Sequence, residues 1–188
     1  TERVDSVRSR CPKLKVFLRI GEGPSEDWIT DYEDAVNNDP LPRIDRSGDD
    51  LWFLYTGGTT GSPKAVMWSH AGLMGGMTET FRSLGEKVPE NFEEAAEIAK
   101  RVTGEGKEIR QLCAAPLMHG TSSLTALGTH MHGGLVATLS SRTFDPKELW
   151  EMVEKCKVTM LTIVGDAFAR PMIDELEASL ENGTIRDI

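Results

Sequence analysis

The chain has 188 residues, 39% of them hydrophobic and 27% charged, which fits one globular domain or a large piece of a bigger protein. Its net charge of −9 argues against a main task of gripping nucleic acid, which needs clustered Lys and Arg, but leaves room for small anionic ligands that need only a local positive site. No apolar run of about 18 residues occurs, so no transmembrane segment is expected, and the opening TERVDSVRSR has no apolar signal-peptide core.

Leu14 to Ile20, LKVFLRI, reads as a short buried strand closed by the turn-like GEGPSED. WITDYEDAVNN, from Trp28, has helical spacing with an acidic face. DPLPRIDRSGDD carries two prolines, a glycine and mixed charge, and reads as a linker, the expected joint between subdomains. LWFLY, Leu51 to Tyr55, is an uninterrupted apolar run expected to form a strand buried on both faces. A second short strand is expected at AVMW, followed by a helix in SHAGLMGGMTETFRSL with Ser69 as N-cap. PENFEEAAEIAKR forms an amphipathic helix with Pro89 near its start and acids in its first turn, and its acidic cluster reads as a solvated face.

IRQLCAAPLMH runs as a strand into a loop, SSLTALGTHM is helical, and GGLVATLS is a strand entered through a glycine pair. DPKELWEMVEKCK is a helix with Asp145 as N-cap and Pro146 at N1. VTMLTIV is a further buried strand, and DAFARPMIDELEASLENG a helix ending at Gly183. Strands and helices alternate over most of the length, which predicts an α/β fold with a largely parallel sheet and flanking helices.

Between the strands at 51 and 65 lies TGGTTGSPK. Ordering so many glycines costs conformational entropy, so the segment needs compensation from something it holds. Its residue types suit a phosphate chain: Gly57, Gly58 and Gly61 let backbone N–H groups turn into a concavity, Thr56, Thr59, Thr60 and Ser62 supply hydroxyls, and Lys64 supplies charge. Neither G-x-x-x-x-G-K-[ST] nor G-x-G-x-x-G can be fitted over it. Read on composition alone, a flexible surface turn stands equally open.

With its flanks, LWFLYTGGTTGSPKAVMWSH resembles the signature loop of the adenylate-forming superfamily, commonly written Y-T-S-G-T-T-G-x-P-K-G. Gly57 stands where that family usually has Ser, which removes one hydroxyl, and Ala65 where it usually has Gly, which restricts the backbone after the lysine. AAPLMHGTSS resembles the family's P-L-x-H segment, and GGLVATLSSRTFDPKELWEMVEKCKVTMLTIV a later core stretch. The Gly-Gly in the loop, AAPLMHG and VGDAFARP are most similar to actinobacterial-type fatty-acyl and steroid-acyl CoA ligases. The resemblance implies ATP-dependent activation of a carboxylic acid to an acyl-adenylate and then acyl-CoA, with ATP, Mg²⁺ and CoA as co-substrates. It implies that Thr56, Gly57, Gly58, Thr59, Thr60, Gly61 and Lys64 hold the ATP phosphates. It also implies that His119, with Gly165, lies by the acyl carboxylate.

Residues 1–49 are then the end of one N-terminal subdomain plus linker, and 50–188 part of the nucleotide- and acyl-binding subdomain. The missing initiator Met and the ending ENGTIRDI suggest cuts at both ends. The family's Y-G-x-T-E segment and its C-terminal domain have no counterpart here, so the chain alone is expected to be inactive. The alternatives are a degenerate module that binds nucleotide or lipid acid, and an adenylation domain serving a carrier protein. His130 and His132 stand two apart with no completing carboxylate or cysteine, so no metal site is expected. Met67, Met74, Met77, Met118 and Met131 suit either an acyl channel or ordinary core packing. Cys11, Cys113 and Cys156, far apart and without a C-x-x-C pairing, fit free thiols in a reducing cytoplasm.

Overall fold

A computed structural model describes residues 2–24, 26–57 and 62–184. The chain divides into two compact units, Thr1–Asp45 and Arg46–Ile188. In the first, helix α1 (Glu2–Arg8), strand β1 (Leu18–Arg19), strand β2 (Thr30–Asp31) and helix α2 (Tyr32–Val36) follow in order, with β1 and β2 parallel. The expected buried strand from Leu14 to Ile20 is reduced to its two residues in β1, and Val16 and Ile20 are 70% and 81% exposed. The expected helix from Trp28 loses its first turn to β2. The pairing rests on the Arg19 guanidinium, which holds both carboxylate oxygens of Asp31 at 2.6 and 2.7 Å, and on Phe17 packed edge-on against Trp28.

The second unit opens with an antiparallel hairpin of β3 (Leu51–Thr56) and β4 (Lys64–Ser69). Burial of LWFLY on both faces is not what forms. Leu51, Phe53 and Tyr55 are 50%, 47% and 67% exposed, whereas Trp52 and Leu54 are half-buried. An apolar run permits burial on both faces, but only flanking layers create it, and among the described residues β3 pairs with β4 alone.

Helix α3 (His70–Ser83) starts where expected, with the Gly72 amide donating to Ser69 Oγ at 3.1 Å. Helix α4 (Phe92–Gly104) begins later than Pro89, because Asn91 caps it through the Glu94 amide at 2.9 Å. There follow β5 (Arg110–Cys113), α5 (Gly120–Met131), β6 (Leu135–Thr138), α6 (Pro146–Cys156), β7 (Met160–Thr162) and α7 (Asp166–Glu181). Asp145 caps α6 as expected, accepting from the Lys147 and Glu148 amides.

Strands β5, β6 and β7 form a parallel sheet in the order β6-β5-β7. Side chains alternate across β5, as a pleated strand requires. Leu112 and Ala114 enter an apolar core with Leu149, Trp150, Val153 and Met172 of α6 and α7. Gln111 and Cys113 meet α5 instead, where the buried layer is polar and includes Ser122, Thr129 and Thr162. The connection from β5 runs through α5 to one neighbour and that from β6 through α6 to the other, so the two helices cover opposite faces.

Candidate active site

The last rung of the hairpin sets Thr56 opposite Lys64, and Thr56 Oγ1 donates to the Lys64 carbonyl at 3.4 Å. Gly57 and Pro63, both exposed, therefore leave and re-enter the hairpin at adjacent points. Lys64 makes no ion pair among the described residues, and a side chain added at Gly57 would meet nothing within 4 Å. Gly58, Thr59, Thr60 and Gly61 lie outside the described residues. Ala65 is already in strand pairing with Tyr55, a conformation any residue adopts, so glycine is not required after the lysine.

His119 is exposed and serves as N-cap of α5, its Nδ1 accepting from the Thr121 amide at 3.2 Å. With Nδ1 used as acceptor, the neutral ring carries its proton on Nε2. The adjoining Gly120 lies against β3. A Cβ there would stand 2.5 Å from Leu54 Cδ2, so the start of α5 touches the strand that leads into the glycine-threonine segment. Gly165 is the N-cap of α7, its carbonyl accepting from Phe168 and Ala169 of its own helix. Its φ of +66° and ψ of −172° lie in a region that strains any L side chain.

Sequence reasoning missed a cleft of about 510 Å³ at the C-terminal ends of β5 and β6, floored by Ala114, Leu139, Phe144 and Phe168 with Arg142 among its lining residues. The connections from these two strands depart to opposite faces, which is the place where open α/β sheets receive ligands. The segment carrying Arg142 is tied down by Glu148, whose Oε1 accepts from the Ser140 amide at 2.7 Å and whose Oε2 accepts from the Ser141 amide at 3.2 Å. The Ser140 hydroxyl, which also donates to Oε1, and then the remaining donors of Ser140 and Ser141 lower the Glu148 carboxyl from 4.5 to about 2. Cys113, 2% exposed, has its thiol pushed up by burial, partly offset by its hydrogen bond to Ser122. A second, apolar groove of about 550 Å³ is lined by Leu73, Met74, Met77, Phe92, Leu127 and Met131. Met67 and Met118, outside it, are 63% and 85% exposed. His132 is fully buried, its Nδ1 2.7 Å from the Gly128 carbonyl oxygen.

Residues 1–185 match the family model described as AMP-binding enzyme. A medium/long-chain-fatty-acid–CoA/3-oxocholest-4-en-26-oate–CoA ligase of Mycolicibacterium smegmatis is 31% identical over 100% of this chain and 34% of its own length. A 3-oxocholest-4-en-26-oate–CoA ligase of Rhodococcus rhodochrous is 32% identical over 94% of this chain and 32% of its own. The chain thus spans about a third of the length of these curated relatives. Among solved structures, o-succinylbenzoate CoA synthetase of Bacillus subtilis with bound AMP aligns over 93% of this chain and 33% of its own, at a TM-score of 0.58 and 17% identity. A protein of Rhodopseudomonas palustris assigned as a long-chain-fatty-acid CoA ligase aligns over 93% and 39%, at a TM-score of 0.65 and 18% identity. These structural likenesses bear on the fold, an α/β architecture with parallel strands and flanking helices.

Proposed function

Because the chain belongs to the AMP-binding enzyme family, we propose that it is part of an acyl-CoA ligase that activates a bulky apolar carboxylic acid, a long-chain fatty or steroid acid. The substrate acid's oxygen attacks the α-phosphate of ATP, pyrophosphate leaves, and an acyl-adenylate forms; the CoA thiol then displaces AMP. Such chemistry asks the protein mainly for positioning and charge stabilisation. The observation that carries the reading is the hairpin: it closes the glycine-threonine segment on Thr56 and Lys64, so one cation stands at the mouth of a loop rich in amide and hydroxyl donors. Thr56, Gly57, Gly58, Thr59, Thr60, Gly61 and Lys64 hold the β- and γ-phosphates and stabilise the departing pyrophosphate.

His119 orients the acyl carboxylate with its Nε2–H, since a carboxylate only accepts hydrogen bonds. Gly165 lets α7 begin without a side chain near the acyl group. The apolar groove bordered by Met74, Met77 and Met131 takes part of the acyl body, because thioethers adapt to variable apolar shapes. Arg142 meets an anionic group of a substrate at the mouth of its cleft. Mg²⁺ offsets phosphate charge; among the described residues no group of three His, Cys, Asp or Glu stands ready to hold a metal, and none is assigned to it. Residues 1–49 end one N-terminal subdomain, 50–188 belong to the nucleotide- and acyl-binding one, and the 188-residue chain is inactive alone.

ATP–pyrophosphate exchange with a panel of long-chain and steroid acids tests this, run on the chain and on its full reading frame. Exchange is expected only in the longer protein and falls about 100-fold or more in Lys64→Ala, the scale of removing one charge-stabilising donor. Exchange that is indifferent to Lys64, or absent from the longer protein, refutes the proposal.

A further inference from the structure

The face of β5 that meets α5 is closed by a buried amide. Gln111, fully buried, donates from Nε2 to Thr125 Oγ1 and to Thr162 Oγ1, each at 2.7 Å, and its Oε1 accepts from Thr129 Oγ1 at 2.7 Å. One side chain thereby ties two successive turns of α5 to β5 and β7, which fixes the rotation of that helix about its axis. Each group of such a buried set that is left without its partner costs its own desolvation.

The chain of bonds continues outward. Both amide protons of Gln111 are spent on threonines, so Thr125 accepts and has its own single proton free to give. It gives that proton to the Thr121 carbonyl, 2.7 Å away. The Thr121 N–H in turn donates to His119 Nδ1 at 3.2 Å. We propose that Gln111 is a positioning residue of the candidate active site: through Thr125 and Thr121 it sets where the His119 imidazole stands and which nitrogen carries the proton. The inference rests on reading His119 as the group that orients the acyl carboxylate. Fixing Nδ1 as acceptor presents Nε2–H outward, whereas a flipped or free ring offers the anion a repelling lone pair for part of the time.

The test pairs Gln111→Met, of similar length but without donors or acceptors, with Thr162→Val, which cuts only the arm to β7. In the chain itself, Gln111→Met is expected to raise amide exchange in the first two turns of α5 about tenfold or more, the scale of lost hydrogen bonds. In imidazole ¹⁵N spectra His119 loses its single Nε2–H tautomer. Thr162→Val leaves both signals in place. In the full-length enzyme, Gln111→Met raises KM for the acid about tenfold while KM for ATP holds, and it adds nothing to His119→Ala. If Gln111→Met does not fold, Thr125→Val severs the same relay from the helix side and shows the same signatures. An unchanged tautomer, or exchange raised evenly through the sheet, overturns the proposal, because a merely structural amide behaves so. A His119→Ala enzyme with unaltered KM for the acid overturns the role of His119 instead, and the tautomer response to Gln111 then supports the clamp on its own.

Discussion

Replacing Gly134 by Ala tests how the α5–β6 junction is built. Helix α5 ends in a Schellman arrangement: Gly133, at φ +74°, sends its N–H to the His130 carbonyl at 3.0 Å, and Gly134 sends its N–H to the Thr129 carbonyl at 2.9 Å. A Cβ on Gly134 would stand 2.5 Å from the Ile109 carbonyl oxygen, 2.6 Å from Thr129 Cγ2 and 3.0 Å from the Thr129 oxygen. The nearest obstacle is backbone, and the Ile109 oxygen already accepts from the Leu135 amide at 2.8 Å. Relief of the clash therefore stretches the bond that starts β6 on β5. Overpacking of this kind costs about 1–3 kcal/mol, and one weakened hydrogen bond about 1 kcal/mol more. Stiffening the unfolded chain returns about 0.4–1 kcal/mol, leaving a net loss of roughly 1.5–3 kcal/mol.

At about 2–4 °C per kcal/mol for a chain of this size, that loss is read as a fall in Tm of roughly 3–12 °C by circular dichroism. Gly120→Ala is the control. Its Cβ would meet only the tip of Leu54, which can rotate away, so the loss stays under about 1 kcal/mol. Equal, mild effects of the two substitutions would falsify the close approach at Gly134.

Glu148 gives a pH signature. Its folded carboxyl titrates at about 2 instead of 4.5, so its contribution is complete above 4.5 and is lost as pH falls toward 2. The Tm gap between the native chain and Glu148→Gln is therefore expected to be constant near neutrality and to close in acid; a gap that widens in acid refutes the clamp. Burial and the raised thiol of Cys113 predict that alkylating reagents modify the half-buried Cys11 and Cys156 in the native chain. Cys113 reacts only after unfolding, and mass spectrometry of the labelled peptides decides it.

What was legible in the sequence is what neighbouring residues determine among themselves. Ser69 and Asp145 cap helices because a short polar side chain reaches amides two or three positions on. The parallel sheet followed from alternating strand and helix periods. The glycine-threonine segment stood out because its amide, hydroxyl and ammonium donors are packed into adjacent positions. Burial was not local in this sense: LWFLY has the composition of a strand buried on both faces, but exposure is set by which layers arrive beside it. LKVFLRI likewise shrank to a two-residue pairing because its partner is set by Arg19 and Asp31, twelve positions apart.

The same division runs through the candidate site. His119 could be picked out from its neighbours, but the buried amide proposed to position it draws on residues spread along the chain: Gln111 meets Thr125, Thr129 and Thr162 at separations of 14, 18 and 51 residues. The only trace in the sequence is a glutamine in the strand IRQLCAA, where an apolar residue would serve packing as well. A polar side chain at an inward strand position has to be satisfied there, and here its satisfaction fixes the helix that carries the histidine. Hydroxyls spaced four apart on the next helix, Thr121, Thr125 and Thr129, are the partners that sequence spacing offers such a glutamine. The arm to Thr162 would still have needed the strand order β6-β5-β7, because only that order places β7 beside β5.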